Sequence, residues 1–365
     1  MSEWQTFCLK DLGKIVGGAT PSTNNPKNYG NKIAWITNKD LSTLQGRYIK
    51  KGSRSISRLG FKSCSCVLLP KHAILFSSRA PIGYVAIAKK RLCTNQGFKS
   101  IIPNKKIYFE FLYYLLKYHK NNFINMGEGT TIKGIYNIAL GLFKVKIPPT
   151  YYEQQKIART LSILDQKIEN NHKINELLHT LAYKIYEYYF KYKPKNAKLE
   201  QIIIENPKSS IMVKNAQKTQ DKYPFFTSGD NILSYPKAII DGRNCFLNTG
   251  GNAGIKFYVG KASYSTDTWC ICANEFSDYL YLLLSSIKNH INQSFFQGTS
   301  LKHLQKNLLK KYPIYMPSAH EIKKFNQIMM PLLTLISINT RTSKKLEQIR
   351  DFLLPLLLKQ QVKPK

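Results

Sequence analysis

Two stretches of this chain carry an apolar spacing that suits a long, paired helix. Ile157, Leu161, Leu164 and Ile168 step by four, three and four, and the step resumes at Leu178, Leu181 and Ile185. That is a heptad-like seam, the mark of a helix packed lengthwise on another helix. Pro148 and Pro149 stop whatever precedes it, and no Pro or Gly follows until Pro194. From Glu153 to Phe190 the helix would run roughly 55 Å at about 1.5 Å per residue. Such a rod needs a partner, and Glu321–Leu358 supplies one. At a fixed offset Glu153 matches Glu321, Ile157 matches Phe325, Leu161 matches Met329 and Leu164 matches Leu332. Ile168 matches Ile336, Asn171 matches Asn339, Leu178 matches Leu346, Leu181 matches Ile349 and Ile185 matches Leu353. An Asn inside each seam is suited to fixing register at a cost in stability. Pro331 falls inside the second copy and predicts a kink there.

The segments between the helices repeat as well. The first reads as short strands around one aromatic-rich helix, Tyr108–Tyr118, which predicts an α+β domain. Its strands are expected near Phe7–Val16, Ile33–Thr37, Ala73–Phe76, Tyr84–Ala88, Phe98–Ile102 and Leu142–Ile147, with Arg47–Arg58 as an exposed loop. In the second, Cys245–Thr249, a Gly250–Gly254 turn and Ile255–Val259 match Ile74–Ser78, the turn through Gly83 and Tyr84–Ala88. Ser265-Thr266-Asp267 stands where Cys93-Thr94-Asn95 stood, and Gly298–Lys302 matches Gly129–Lys133. The expected layout is domain 1–148, helix 149–193, domain 194–316 and helix 317–365, with Lys193–Lys198 as a linker. The fold class is α+β: two domains alternating with two long helices that pair as an antiparallel coiled coil, a pseudo-two-fold repeat.

The net charge of +34 points to a polyanion. Residues 1–150 hold 24 Lys and Arg against five acids, and residues 197–316 hold 14 against eight, so the first domain carries most of the excess. Seven cysteines without a CxxC pair read as reduced cytosolic thiols rather than metal ligands. Met1–Lys10 lacks the apolar core of a signal peptide, and no apolar run approaches a membrane span, so a cytoplasmic chain without a membrane is expected.

The chemistry search narrows the function. No GxxxxGK[ST], GxGxxG after a strand, HExxH or GxSxG occurs, and five acids in 150 residues make a metal-dependent nuclease site hard to build. The Asn/Asp-Pro-Pro-aromatic tetrapeptide of amino-methyltransferases is missing, since Pro148-Pro149 lies between Ile147 and Thr150. Neither a catalytic residue nor a cofactor or metal is expected. What remains is cations among turns rich in Ser, Thr, Asn and Gly. Cations hold phosphates, while Arg, Asn, Gln, Ser and Thr reach base edges. The DNA-binding candidates are Lys50, Lys51, Arg54, Ser78, Arg79, Gln96 and Lys133 in the first domain. In the second they are Thr227, Asn231, Asn248, Asn252 and Lys302. Trp35 and the Tyr108–Tyr118 aromatics read as core rather than as base-stacking platforms.

LGKIVGGATPSTNNPKNYGNKIAWITNKDL (Leu12–Leu41), RAPIGYVAIA (Arg79–Ala88), TNQGFKSI (Thr94–Ile101) and IPPTYYEQQKIARTLSILDQKIE (Ile147–Glu169) resemble the specificity subunit of type I restriction-modification enzymes. The resemblance spans essentially the whole chain. The second domain opens instead with Tyr223–Asp230, the other common opening of such domains. Thr20, Pro21, Trp35, Gly83, Asn95, Gln96 and Gly97 are the family-pattern positions, read as architectural. The resemblance implies a non-catalytic reader of double-stranded DNA, each domain taking one half of a split target. It implies that the helices set the spacing and dock two methyltransferase subunits, which carry S-adenosylmethionine. A translocating, ATP-dependent endonuclease subunit joins for restriction. The alternatives are a stand-alone nucleic-acid-binding module, or a subunit with its own methyltransferase or nuclease activity.

Overall fold

The computed structural model of this protein describes residues 3–129, 133–216 and 222–363. It divides into two compact units, Met1–Asn170 with Ser343–Lys365, and Asn171–Thr342. Each long helix therefore contributes a stretch to each unit. The helices span Tyr151–Tyr186, ending in a single π-helical turn over Glu187–Lys191, and Ala319–Leu358. Each opens on a hydroxyl residue with Glu three positions on. The Glu153 amide donates to Thr150 Oγ1 at 3.2 Å, and the Glu321 amide to Ser318 Oγ at 3.3 Å while Glu321 Oε2 accepts the Ser318 amide at 2.9 Å. These caps satisfy backbone donors that a helix start leaves open. The second helix runs unbroken through Pro331, whose ring is exposed, so the expected kink does not interrupt it.

In the first unit, a five-stranded sheet runs Gly13–Gly17, Lys99–Pro103, Ile74–Phe76, Val85–Ala88, Tyr48–Ile49. A three-stranded sheet runs Arg54–Ile56, Tyr29–Ile36, Cys93–Thr94. Phe7–Val16 is not one strand, because Leu9–Leu12 forms a helical turn between Gln5–Cys8 and Gly13–Gly17. Helix Phe109–Tyr118 is buried from Phe111 to Leu116, and Ile157, Ala158 and Leu161 join its core along with Leu354, Leu357 and Leu358. The long helices pack antiparallel here: Asp165 accepts Arg350 Nη1 at 2.6 Å and the Tyr114 hydroxyl at 2.6 Å. Trp35 is buried, its Nε1 donating to the Ala19 carbonyl at 3.0 Å.

The second unit repeats this plan. Its larger sheet runs Ile204–Glu205, Thr268–Cys272, Arg243–Asn248, Ile255–Val259, and its smaller one Leu233–Tyr235, Tyr223–Phe226, Ser263–Tyr264. Helix Ser277–Ser286 packs with Ala182, Tyr186 and Phe190 of the first long helix and Phe325, Met329, Leu333 and Ile336 of the second. Asn339 Nδ2 donates to Asn175 Oδ1 at 3.0 Å, so the register-fixing amide opposite Asn339 is Asn175. The apolar seam also departs from expectation. Leu181 and Ile349 are 48% and 45% exposed, and Ala182 is fully buried in the place foreseen for Leu181. A small side chain there lets the helix approach the domain closely, which Leu would prevent.

The two units agree in the strand pair that sets register. Trp35 and Ile36 lie parallel to Cys93 and Thr94, and Phe225 and Phe226 lie parallel to Ser263 and Tyr264. The Asn95 amide donates to the Ile36 carbonyl, and the Ser265 amide to the Phe226 carbonyl, both at 2.9 Å. Asn95 therefore corresponds to Ser265, two positions from the match read off the sequence.

Candidate nucleic-acid interface

In the first unit, loops distant in sequence meet at one end of the sheets. The Ser78 amide donates to the Gly97 carbonyl at 2.9 Å, and the Ile135 amide to the Ser78 carbonyl at 2.9 Å. Arg79 bridges Gly134, which exchanges backbone bonds with Glu128 at 2.8 and 3.0 Å. Asn38 Nδ2 donates to the Arg79 carbonyl and, at 3.4 Å, to the Ala80 carbonyl. Asp40 Oδ1 accepts the Ser53 amide at 2.7 Å, tying in the Lys50–Arg54 segment. Thr20 donates to Gln96 Oε1 and brings in the loop after Gly17. All seven candidates of this domain thus belong to one connected loop cluster. Two glycines are held there by close approach. A Cβ on Gly52 would sit 2.7 Å from Asp40 Oδ2, and one on Gly97 would overlap Asn38.

The candidates differ in what they present. Lys50, Lys51, Arg54, Gln96 and Lys133 are exposed, and Arg79 is half-buried. Arg54 lies over the Tyr29 ring at 5.9 Å. Ser78 is buried with its hydroxyl donating to the Gly97 carbonyl at 3.1 Å, so it fastens the loop from inside. Thr130, Thr131 and Ile132 of the Thr130–Lys133 loop lie outside the described residues. Arg47–Arg58 is not a plain exposed loop. Arg47 is buried between Glu110 at 3.0 Å and Glu169 at 3.1 Å, while Tyr48–Ile49 and Arg54–Ile56 are strands. A buried guanidinium requires such partners, and the two carboxylates hold the base of the loop.

In the second unit, the Thr249 amide donates to the Asp267 carbonyl at 3.3 Å and the Leu304 amide to the Thr249 carbonyl at 3.0 Å. The Gly251 amide donates to the Lys302 carbonyl at 2.9 Å, and Gly250 bridges His303. By these bonds Ser78, Gly97, Ile135 and Lys133 correspond to Thr249, Asp267, Leu304 and Lys302. The Gly298–Lys302 match is therefore sound at Lys302. Asn231, Asn252 and Lys302 are exposed, whereas Thr227 and Asn248 are buried. Thr227 Oγ1 accepts the Gly229 amide at 3.0 Å, and Asn248 Nδ2 donates to the Asn252 carbonyl at 3.1 Å.

Two side chains of these clusters, Lys256 and Asn38, escaped the sequence reading. Lys256 sends Nζ to the Thr227 carbonyl at 2.9 Å and Asn248 Oδ1 at 3.0 Å, placing a cation inside the cluster. Burial pulls its pKa below the ordinary lysine value, against the pull of Asp230. Its signal was a lysine within an otherwise apolar strand, Ile255–Val259. Asn38 reaches across its cluster without a local pattern to mark it, and Ser228, which does the same in the second unit, lies inside the polar turn between the candidates Thr227 and Asn231. Asp40 serves its own helix as well as the Lys50–Arg54 segment. It closes a capping box, accepting the Thr37 amide at 2.7 Å and the Thr37 hydroxyl at 2.8 Å. Burial raises the Asp40 pKa, but the bonds from Ser53 and Thr37 outweigh it and leave it below the ordinary 3.8.

The arrangement sets cations around amide and hydroxyl groups, twice, on duplicated scaffolds. The family model described as type I restriction modification DNA specificity domain matches residues 1–180 and 195–348. The type I restriction enzyme MjaIX specificity subunit of Methanocaldococcus jannaschii is 31% identical over 403 residues, covering 98% of this chain and 93% of that protein. The HindI specificity subunit of Haemophilus influenzae is 34% identical over 114 residues, covering 31% of this chain and 24% of that protein. Among solved structures, the type I restriction-modification system S subunit from M. genitalium shares the fold at a TM-score of 0.64 and 18% identity, over 97% of this chain and 96% of that one. This chain belongs to the type I restriction-modification DNA specificity family.

Proposed function

We propose that this chain reads double-stranded DNA without altering it, each unit taking one half of a split target. The observation that carries this is the convergence, in each unit, of cation-, amide- and hydroxyl-bearing loops from distant parts of the sequence onto one cluster. Lys50, Lys51, Arg54, Lys133 and Lys302 suit phosphates, while Arg79, Gln96, Asn231 and Asn252 suit base edges. The methyl transfer belongs to partner subunits that bring S-adenosylmethionine, and DNA cleavage to a translocating endonuclease subunit. Such a reader works in the cytoplasm, where its DNA is; among the described residues no helix is long and apolar enough to cross a membrane. The test is methylome sequencing with and without the gene. Loss of one split motif supports the reading. Methyl transfer to DNA by the pure chain given labelled S-adenosylmethionine would overturn it.

Docking of two methyltransferase subunits is supported by the outer flank of the helices. In the second unit Ile174, Leu181 and Tyr188 step by sevens on the first helix, with Leu177 beside them, and all are exposed. Ile328, Leu335 and Ile338 are exposed on the second helix of that unit. The first unit exposes Ile163, Ile349 and Phe352. Apolar stripes at heptad spacing on a charged chain mark a partner surface, and each unit has its own, which suits two subunits. Leu177→Glu with Leu335→Glu should leave one methyltransferase subunit co-purifying in place of two and leave the chain's melting temperature unchanged. Normal assembly of that variant would remove the stripe from the interface. We further assign to the length of the two helices the number of unread base pairs between the half-sites.

A further inference from the structure

In each unit one short polar side chain stands at the same place in the scaffold and knits the same two loops. In the first unit that place is two residues beyond the parallel strand Tyr29–Ile36, and Asn38 occupies it. Its Nδ2 donates to the carbonyls of Arg79 and Ala80, and its other face lies against Gly97. Its Oδ1 is buried without a hydrogen-bond partner among the described residues. An orphaned amide oxygen costs stability, so the loop contacts are a better account of this Asn than folding is. In the second unit the place is two residues beyond Tyr223–Phe226, and Ser228 occupies it. Its Oγ accepts the Thr249 amide at 3.1 Å and donates to the Asp267 carbonyl. Thr249 and Asp267 are the counterparts of Ser78 and Gly97. The two units thus solve one task with different chemistry.

The first unit adds a second tie. Asp40 lies two residues after Asn38 on the same short helix, Asn38–Ser42, and takes the Ser53 amide. The loop with Lys50, Lys51 and Arg54 and the loop with Arg79 therefore hang on neighbouring residues of one five-residue helix. The polar bonds found for Asn38, Asp40 and Ser228 go to backbone of the loops and to their own caps. They set where the reading groups stand.

We propose that Asn38 and Ser228 are positioning residues for base choice, each in its own half of the target, and that Asp40 positions the first unit's phosphate contacts. This rests on the reading of the chain as a split-target DNA reader. The division of labour follows from what each loop carries: Arg79 is a fork suited to guanine, whereas the Lys50–Arg54 segment carries exposed point charges.

The test uses the full chain assembled with its methyltransferase subunits and a pool of duplexes of randomised sequence. Wild type selects a split motif. Asn38→Ala should lose discrimination by about tenfold or more at positions within one half only. Ser228→Ala should do the same in the other half only, and Ser228→Thr, which keeps the hydroxyl, should retain the motif. Asp40→Asn cannot accept both Thr37 and Ser53 amides, so it should select the same bases while its salt slope falls by up to about three. If Asn38→Ala fails to fold, the isosteric Asn38→Asp, which turns a donor into an acceptor facing two carbonyls, should relax the same half. Loss of affinity spread evenly over both halves, or relaxation of the same half by Asn38→Ala and Ser228→Ala, overturns the inference. So does a change in preferred bases with Asp40→Asn. A split wild-type motif left intact by both alanine variants defeats this inference alone; a wild-type complex without any sequence preference defeats the reading beneath it as well.

Discussion

Lys50, Lys51 and Arg54 allow a numerical forecast. All three are exposed, and their segment is fixed to the cluster through Asp40. Each cation that neutralises a phosphate contributes about 0.9 to the slope of log affinity against log salt, so replacing all three with Gln should lower that slope by about 2.7. Between 50 and 200 mM salt the wild type should then lose about 40-fold more affinity than the variant. Arg54→Gln also removes the guanidinium from over the Tyr29 ring, a contact worth about 0.5–1 kcal/mol at an exposed site, so the variant's melting temperature is checked alongside. The control is Lys10, Lys144 and Lys146. They are exposed too, but Leu9–Leu12 precedes Gly13–Gly17 at the end away from the cluster, and Lys144–Ile147 pairs with Gln5–Cys8 at that same end. The assay is fluorescence anisotropy of a duplex holding the selected motif, titrated with assembled complex at four salt concentrations. The control triple should leave the slope unchanged, and neither triple should alter the preferred bases. Equal slope changes for the two triples would mean that charge acts at a distance over the whole surface. The loop would then have no claim to touch phosphates.

Arg79→Ala should relax one base pair of one half-site by about 1–3 kcal/mol, read from selected duplex pools; uniform weakening would reassign Arg79 to phosphate. Arg350→Met leaves Asp165 buried without its cation and should cost about 3–5 kcal/mol, while Asp165→Asn with Arg350→Met should cost less than the two singles together. Guanidinium unfolding in a Trp269→Phe background follows this cycle through Trp4 and Trp35, and strict additivity would deny the buried pair. Asp40 has a folded-state pKa below its ordinary 3.8, so its contribution is complete above about pH 4 and is lost as acid carries the pH through the folded value. The stability gap between wild type and Asp40→Asn should stay level between about pH 5 and 8 and shrink below about pH 4; a gap that widens in acid contradicts the assignment. Inserting one heptad in each long helix, after Asn170 and after Thr342, adds roughly 10 Å of helix. The methylated motif should keep both halves and gain about three unread base pairs at about 3.4 Å each; an unchanged spacer would separate helix length from target spacing.

The helices were the most legible part of the chain because their signal is cooperative. A seam repeated over many turns and then again at a fixed offset survives local exceptions such as Pro331. Within the apolar seam, what failed was one position, Leu181, with its counterpart Ile349. Hydropathy ranks Leu above Ala, so the sequence pattern assigned Leu181 to the seam. Where a helix lies against a domain, however, the contact is set by how near the backbones come, and Ala182 permits what Leu does not. The exposed Leu181 then belongs to the outer stripe, a role invisible until the inner face is known. The repeat of the domains was legible in outline. It slipped by two at Asn95, because the parallel pairing of Ile36 with Thr94 and Phe226 with Tyr264 sets the register, and strand pairing across long sequence gaps leaves no mark on spacing.

The candidate reading face was legible as chemistry and not as geometry, for one physical reason. Ser, Thr and Asn side chains bond backbone groups with the same atoms that would bond a base edge. Ser78, Thr227 and Asn248 have the composition of contact residues and spend it on Gly97, Gly229 and Asn252. Arg47 shows the same ambiguity for charge: a lone basic residue in a turn-rich segment reads as exposed, but Glu110 and Glu169, far along the chain, bury it. A buried cation needs such an acid, or carbonyl oxygens like those that hold Lys256, to offset its desolvation. In a chain with 55 Lys and Arg and only 21 Asp and Glu, most cations cannot find a carboxylate and must stay in water until a polyanion arrives. The few acids near the first unit's candidate loops are therefore the informative residues. Asp40 spends its carboxylate on the Ser53 and Thr37 backbone and leaves Lys50, Lys51 and Arg54 uncompensated, which shapes the loop without cancelling its charge.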